Sequence, residues 1–180
     1  MSLKDKPTSA QNEDEVFDVV DEHDRVIGQA KRKDVHARQL LHRAIHVLVF
    51  GEDGRVFLQK RSMAKDSSPG LWDSSCSGHL DAGEDYDAAA HRELFEEIGV
   101  KLSQPPDRWF YVTARAETGG EFVWVYRTRY SGAFQLNSAE VEAGAWYEPD
   151  ALTAAISESP ERFTRPFRFL WSQAVARGVS

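Results

Sequence analysis

Three glutamates, Glu93, Glu96 and Glu97, crowd into one five-residue span of the sequence. In a helix that turns about 100° per residue, these side chains fall within about 100° of one another on one face. Like charges at such spacings repel and cost roughly a few tenths of a kcal/mol per pair. Such a face is either a solvated acidic surface or a binding site for divalent cations, which need several oxygen ligands and cancel the repulsion between the carboxylates. The helix by itself leaves both interpretations open.

The pattern around these glutamates predicts a helix that begins near Asp85 and ends before Gly99. Glycine just after the last periodic residue suits a left-handed cap, because it has no Cβ to clash in that conformation. Apolar residues that recur at helical spacing are expected to face the core. The predicted apolar stripe consists of Ala90, Leu94, Phe95 and Ile98.

The residues upstream complete a longer pattern with fixed spacing. Gly78 is followed after five residues by Glu84, and seven more residues lead to the stretch RELFEEIGV, which begins at Arg92. This arrangement resembles the signature box of the Nudix family, and a match of this length with fixed internal spacing is a strong signal. Every fixed position is filled, by Gly78, Glu84, Arg92, Glu93, Leu94, Glu96, Glu97, Gly99 and Val100.

The resemblance implies an α/β (α+β) fold, an α/β/α sandwich around a mixed sheet, with the box as a loop–helix–loop. It also implies that Mg²⁺ or Mn²⁺ binds at a diphosphate through Glu93, Glu96, Glu97 and the backbone carbonyl of Ser77. Mg²⁺ prefers carboxylate oxygens and keeps several waters, one of which can become the nucleophile. The catalytic role of activating that water would then fall to Glu93 or Glu96, or to a glutamate from a later loop.

Other residues would support or complete this site. The resemblance implies that Arg92 and Glu84 pair and hold the loop against the helix, with Gly78 and Gly99 as further structural support. Trp72 and His79 are candidates for lining the substrate pocket, although tryptophan is as often core filler. The candidates for the later glutamate are Glu121, Glu140 and Glu142, each of which, taken alone, is more often a surface acid.

A second resemblance concerns the chain outside the box. Its residues are similar to the branch of the family that includes isopentenyl-diphosphate isomerase, which uses a cysteine and a glutamate to move a proton at a carbon–carbon double bond. That isomerase also binds a metal through three histidines and two glutamates. The similar stretches are LHRAIHVLVF, VFLQKRS, PGLWDSSCSGH and the C-terminal aromatic helix, and the residues near the isomerase positions are Cys76, His36, His42, His79 and Glu121.

The correspondence to the isomerase is incomplete. Gly119 stands where the second metal glutamate is expected, and Ser77 separates Cys76 from the glycine that follows the cysteine directly in the isomerase. The isomerases also carry a degraded box, whereas this box is complete. We therefore expect Cys76 to be a small loop residue, and His42 and His79 to be polar groups of a loop or pocket.

The complete box predicts a metal-dependent hydrolase that cleaves a diphosphate linkage in a nucleoside diphosphate-type substrate. Two alternatives stay open. One is an isopentenyl-diphosphate isomerase that uses Cys76, and the other is a noncatalytic module that binds a nucleotide. The expected partner is a small-molecule diphosphate, and monomer and homodimer are both compatible with the sequence.

Composition and length bound these predictions. The 180 residues predict one domain, residues 13–180, after a disordered tail, residues 1–12. The net charge of −7 argues against a nucleic acid polymer, because phosphate backbones require clustered Lys and Arg. No apolar run is long enough to cross a membrane, and the N-terminal residues lack the apolar centre of a signal peptide. The single cysteine, Cys76, excludes an internal disulfide and favours the cytoplasm.

Strands and helices are interspersed without regular alternation, which favours a mixed sheet flanked by helices over a doubly wound parallel sheet. Residues 62–76 are predicted to form a loop around Pro69 and Gly70. Two strands are predicted within residues 15–30, a hairpin at 42–50 and 55–61, and a further strand pair at 109–117 and 121–132. A last strand begins near 143 and leads into a helix near Pro149. A final aromatic helix is predicted within 161–175.

Overall fold

The computed structural model describes residues 11–179, so the predicted tail lies almost wholly outside the described residues. The strands are β1 (Val16–Val20), β2 (Val26–Lys31), β3 (His42–Phe50), β4 (Val56–Arg61), β5 (Trp72–Asp73), β6 (Cys76–His79), β7 (Asp107–Val112), β8 (Glu121–Arg129) and β9 (Val141–Tyr147). The helices are α1 (Arg32–Ala37), α2 (Tyr86–Ile98), α3 (Pro149–Glu158) and α4 (Arg165–Ala176), and a 3-10 turn spans Pro160–Arg162.

The main sheet has seven strands and is mixed. Its path runs β5-β4-β3-β8-β7, with β6 beside β3 and β9 beside β4. Strands β3 and β8 are parallel, in register from His42 opposite Glu121 to Phe50 opposite Arg129, whereas the other pairs in this sheet are antiparallel. Strands β1 and β2 form a separate antiparallel hairpin. The predicted mixed sheet is confirmed.

Alternation along β3 divides the core into two layers, because successive side chains of a strand point to opposite faces. Ile45 and Val47 pack with Leu94 and other residues of α2 on one face. Leu48 and its neighbours pack with α3 and α4 on the opposite face. Helices therefore cover both faces of the sheet, and the predicted α/β/α sandwich is confirmed.

Helix α2 has the predicted bounds. The Asp85 carboxylate caps its first turn by accepting from Ala88 N at 2.8 Å, and Gly99 ends it with a φ of 71°. The predicted apolar stripe is wrong at Phe95, which is 51% exposed and lies under the Lys101 ammonium. The buried side of the helix, which faces the sheet, extends from Leu94 away from Phe95. It includes Tyr86, Ala89 and Glu97, although Glu97 carries a carboxylate.

The structure adds three elements that the sequence did not predict. Short strand β5 lies in the segment predicted as a loop, and β6 begins at the last residue of that segment, Cys76, and pairs with Ala44–Val47 of β3. Helix α1 has only six residues, and its N-cap, Lys31, makes no capping side-chain hydrogen bond. Their weak local signals explain the omissions. Among residues 11–179, no helix combines the length and apolar character needed to cross a membrane.

Candidate active site

A cavity of about 480 Å³ opens where α2, the edge strand β6 and the start of α4 meet. It brings together side chains that are far apart in the sequence and rich in charge. The acids on its wall include Glu93, Glu96, Glu97, Glu121 and Glu140, and the cations include Arg32, Arg61, Lys65 and Arg92. A wall of both signs can hold a metal ion and an anionic ligand in the same space.

The three glutamates of α2 differ in exposure. Glu97 is only 2% exposed, and its carboxylate accepts from Ser77 N at 3.1 Å and from Gln59 Nε2 at 2.7 Å. Glu93 is also largely covered, whereas the side chain of Glu96 is 44% exposed. The helix therefore presents two shielded carboxylates and one that reaches water.

Burial perturbs both shielded carboxylates. It raises the pKa of Glu93 well above its ordinary range, and the nearby charge of Glu97 adds to this shift. Burial likewise raises the pKa of Glu97, against the opposing influence of the Lys65 ammonium. Two carboxylates that resist ionisation in the same place would both ionise readily once a cation lies between them.

Arg92 connects the box loop to the helix. Its guanidinium donates to both carboxylate oxygens of Glu84, at 2.9 and 2.8 Å, and to the His79 carbonyl at 3.1 Å. It also donates to Glu93 at 2.8 Å and to Glu96 at 3.1 Å. The predicted partners thus lie in contact, and a bidentate pair of this kind fixes geometry as well as charge.

Gly78 lets the helix approach β6 closely. A Cβ at this position would collide with the carboxylate of Glu93. The Ser77 N–H that binds Glu97 is next to it in the same strand. The main chain at residues 77 and 78 is therefore an integral part of the site, since only a bare glycine leaves room for the Glu93 carboxylate.

Lys65 is a cation that the sequence analysis missed. It is largely buried, its Nζ lies 3.7 Å from Glu97 Oε1, and it contacts the Glu140 carboxylate directly. Arg61, four residues earlier, donates to the Ser67 carbonyl at 3.0 Å and lines the same cavity. Their four-residue spacing in a polar segment was the available signal, but ordinary surface cations show the same pattern.

A second cluster lies at the first residues of β3 and β8. The side-chain ligand atoms of His36, His42, His79 and Glu121 all lie within 4.8 Å of one another. Glu121 Oε1 is 2.8 Å from His79 Nε2 and 3.4 Å from His42 Nε2. The parallel register that places His42 opposite Glu121 creates this cluster from residues almost eighty positions apart.

The ring nitrogens of this cluster are placed to bind a metal. His42 Nδ1 lies 2.9 Å from the Leu40 carbonyl, which leaves the buried Nε2 facing Glu121, and among the described residues this Nε2 has no hydrogen-bond partner. Burial lowers the pKa of His79 to about 4. Imidazole nitrogens gathered around a carboxylate form a ligand set for a divalent cation.

Three residues singled out in the sequence lie elsewhere. Cys76 is a fully buried core residue of β6 rather than a loop residue, and burial raises the pKa of its thiol well above the ordinary range. Trp72 packs edge-on against Tyr147 at 5.6 Å in the core layer of α3 and α4. Glu142 pairs with Lys60 at the surface. These three do not line the cavity.

Comparison with known proteins gives concordant matches. A NUDIX domain model matches residues 40–167. Isopentenyl-diphosphate Delta-isomerase 2 of Photorhabdus laumondii is 35% identical over 170 residues, 93% of each chain. An uncharacterised Nudix hydrolase of Streptomyces coelicolor is 40% identical over 136 residues, 74% of this chain and 73% of its own. The crystal structure of DR0079 from Deinococcus radiodurans has a TM-score of 0.79 and 26% identity, covering 88% of this chain and 98% of that one.

Proposed function

Because the chain belongs to the Nudix family, as the match over residues 40–167 shows, we propose that it is a metal-dependent hydrolase of a nucleoside diphosphate-type substrate. The observation that carries the proposal is the burial of Glu93 and Glu97 together on the cavity wall, with raised pKa values. An isolated acidic surface would not bury two carboxylates in one place, since each buried charge is costly without a partner.

The donor set fits Mg²⁺ or Mn²⁺. Glu93, Glu97 and the Ser77 carbonyl would hold the ion, with Glu96 as a further carboxylate at the exposed edge, and these hard oxygen ligands are the kind such ions prefer. When bound, the ion supplies charge neutralisation at the diphosphate and a water of lowered pKa.

The side chains of this protein would do the remaining work. Lys65 and Arg61 would bind the oxygens of the diphosphate, because both reach the cavity and are held in place by hydrogen bonds or ion pairs. Arg92 keeps Glu93 and Glu96 oriented through its two hydrogen bonds. Glu96 reaches water and would accept the proton of the attacking water.

The test is product analysis with a panel of diphosphates. Nucleoside diphosphates, nucleotide sugars and isopentenyl diphosphate are incubated with the protein and Mg²⁺ or Mn²⁺, with a chelator as the blank. We expect metal-dependent release of phosphate or a monophosphate, and a loss of at least about 100-fold in kcat for Glu97→Gln. The matched control is Glu142→Gln, which changes a surface glutamate and should leave kcat unaltered. Undiminished cleavage by Glu97→Gln would refute the proposal.

The isomerase is the second candidate. The cluster of His36, His42, His79 and Glu121 favours it, together with the 35% identity to a protein named as an isomerase. Against it, Cys76 is buried in the core with a raised pKa. Proton NMR of isopentenyl diphosphate separates the two functions, because isomerisation moves the double bond without releasing phosphate. Binding without any turnover across the panel would instead favour the noncatalytic nucleotide-binding module.

A further inference from the structure

A chain of polar groups runs beneath the cavity and ends at His46. Arg61 NH1 donates to Asp73 Oδ2 at 3.4 Å, and the Ser74 hydroxyl donates to Asp73 Oδ1 at 3.3 Å. The same hydroxyl oxygen lies 2.5 Å from His46 Nδ1. All four side chains are buried, yet His46, Asp73 and Arg61 line the cavity. The proposed hydrolytic function assigns no role to His46, Ser74 or Asp73.

The surroundings of His46 favour the tautomer with the proton on Nδ1. Asp73 Oδ1 lies 3.8 Å from this nitrogen, and a carboxylate stabilises an N–H beside it. If the Ser74 hydroxyl gives its one proton to Asp73, the stronger acceptor, its oxygen accepts from His46 Nδ1–H. His46 Nε2 is left as a hydrogen-bond acceptor, and it makes no hydrogen bond to any residue of the described chain. In this tautomer His46, a residue of the cavity wall, has Nε2 as an acceptor without a partner.

The position of His46 indicates which part of a substrate it would meet. It lies opposite Ser77 in the β3–β6 pairing, and the N–H of Ser77 binds Glu97. Paired strand residues point to the same face, so His46 and Ser77 both face the layer of α4. A diphosphate held at the Glu97 end would place its attached group along this face, past His46 and toward Thr164 at the start of α4.

The surroundings of His46 are poorly suited to a hydrocarbon tail. The apolar cavity residues are few and small, whereas most of the others carry hydroxyl, amide or charged groups. A tail packed over His46 would also leave its Nε2 without a donor, and sites built to hydrogen-bond a substrate reject analogues that lack the group. The apolar residues of the cavity are Ala44, Ala139 and Pro166.

We propose that His46 is a specificity-determining residue that accepts a hydrogen bond from a hydroxyl or amino group of the moiety attached to the diphosphate. Ser74, Asp73 and Arg61 are positioning residues that hold its tautomer and ring orientation. The proposal rests on the proposed function for the placement of the diphosphate at the box glutamates. It selects sugar- or base-containing diphosphates over prenyl diphosphates.

Two substitutions separate a substrate contact from a structural role. His46→Asn keeps an N–H near the position of Nδ1, so it retains the bond to Ser74 and removes only the cavity acceptor. His46→Gln disturbs the bond to Ser74 but places an amide oxygen near the former Nε2. A structural role predicts that Asn is tolerated and Gln is not, whereas recognition of the substrate predicts the reverse.

The experiment measures binding by calorimetry with Mg²⁺ and non-cleavable ligands. The probes are a nucleoside 5′-methylenediphosphonate, bare methylenediphosphonate and isopentenyl methylenediphosphonate. For His46→Asn we expect about three- to tenfold weaker binding of the nucleoside ligand, the worth of one neutral hydrogen bond, with unchanged binding of the other two. His46→Gln should recover part of that loss.

Two results would overturn the inference: failure of the wild type to bind the nucleoside ligand more tightly than bare methylenediphosphonate, or an equal effect of His46→Asn on all three ligands. Hydrolysis is assayed separately with the cleavable nucleoside diphosphate. If the binding pattern is as expected and no cleavage occurs, the hydrolase proposal fails while the role of His46 stands. If cleavage occurs but binding is indifferent to the residue at position 46, the hydrolase proposal stands and the role of His46 is refuted.

Discussion

Glu93 and Glu97 combine two properties that ordinary surface acids lack. Both are shielded from water, and burial is the main reason that the pKa of each is raised. A buried carboxylate without a cation destabilises the folded protein when it ionises, because the unfolded chain hydrates the same charge freely. The pair therefore links folding stability, pH and metal binding at the level of single residues.

This linkage predicts how the metal-free protein responds to pH. Above the ordinary carboxyl value of 4.5 the native Glu93 still holds its proton while the unfolded chain has lost it. The native state then binds more protons, so the contribution of Glu93 to the free energy of unfolding falls as pH rises through 4.5 toward the raised pKa. In a chelator, Glu93→Gln should gain stability over the wild type as pH rises.

Thermal unfolding from about pH 4.5 to about pH 8 measures this difference. Glu142→Gln is the matched control and should follow the wild type at every pH, since Glu142 is a surface residue paired with Lys60. Adding Mg²⁺ should reduce the difference in melting temperature between the wild type and Glu93→Gln. A gap that stays constant across the pH range would contradict the assigned burial penalty.

At the scale of elements, local signals decided what could be predicted. Helix α2 was predicted correctly because the Asp85 cap, the helical period and the Gly99 stop all lie within its own sequence. Phe95 was misplaced because the buried arc of the helix includes charged Glu97, which a hydrophobicity pattern treats as exposed. The histidine cluster depends on the parallel register of β3 and β8, which no local pattern encodes.

The close packing of α2 on β6 gives a prediction at this scale. Gly78→Ala would insert a methyl group into the space of the Glu93 carboxylate and push the carboxylate from its place on the cavity wall. Because the displaced atoms are the far end of a flexible side chain, the cost should be at most about 1 kcal/mol, the low end for overpacking. We expect at least a tenfold loss of metal-dependent cleavage with a modest loss of thermal stability, measured as kcat and the melting temperature.

Gly28→Ala is the control for this substitution. Gly28 is also a strand glycine, but a Cβ there would meet no atom within 4 Å. Its free energy of unfolding should stay within about 0.5 kcal/mol of the wild type, as is usual for exposed positions away from special contacts, and its kcat should be unaltered. Equal activity of the two variants would show that the contact between Gly78 and Glu93 has no part in the reaction.

At the scale of the whole molecule, the candidate site lies at the sheet edge where two layers meet. The box helix approaches β6 from one face, and Ser77, His46 and the histidine cluster occupy the other. The family resemblance could predict the first group from one continuous stretch. The two resemblances also named Ser77 and the four cluster residues one by one, but only the fold shows that α1, β3, β6 and β8 bring the cluster together, and nothing in the sequence pointed to His46. Oligomeric state and compartment stay predictions.

A metal in the histidine cluster would join those four elements and so stabilise the entire domain. Zn²⁺ suits three imidazoles and one carboxylate. A ligand at 100 times its dissociation constant stabilises the native state by about 2.7 kcal/mol, which corresponds to about 5–10 °C in melting temperature for a chain of this size.

His42→Asn should lose most of this shift, because it keeps the bond to the Leu40 carbonyl but removes the unpaired Nε2. His91→Asn is the control, since His91 bonds the Leu102 carbonyl outside the cluster and should keep the full shift. An equal zinc shift in wild type and His42→Asn would place the stabilising ion elsewhere, and a chelator should abolish the shift wherever the ion binds.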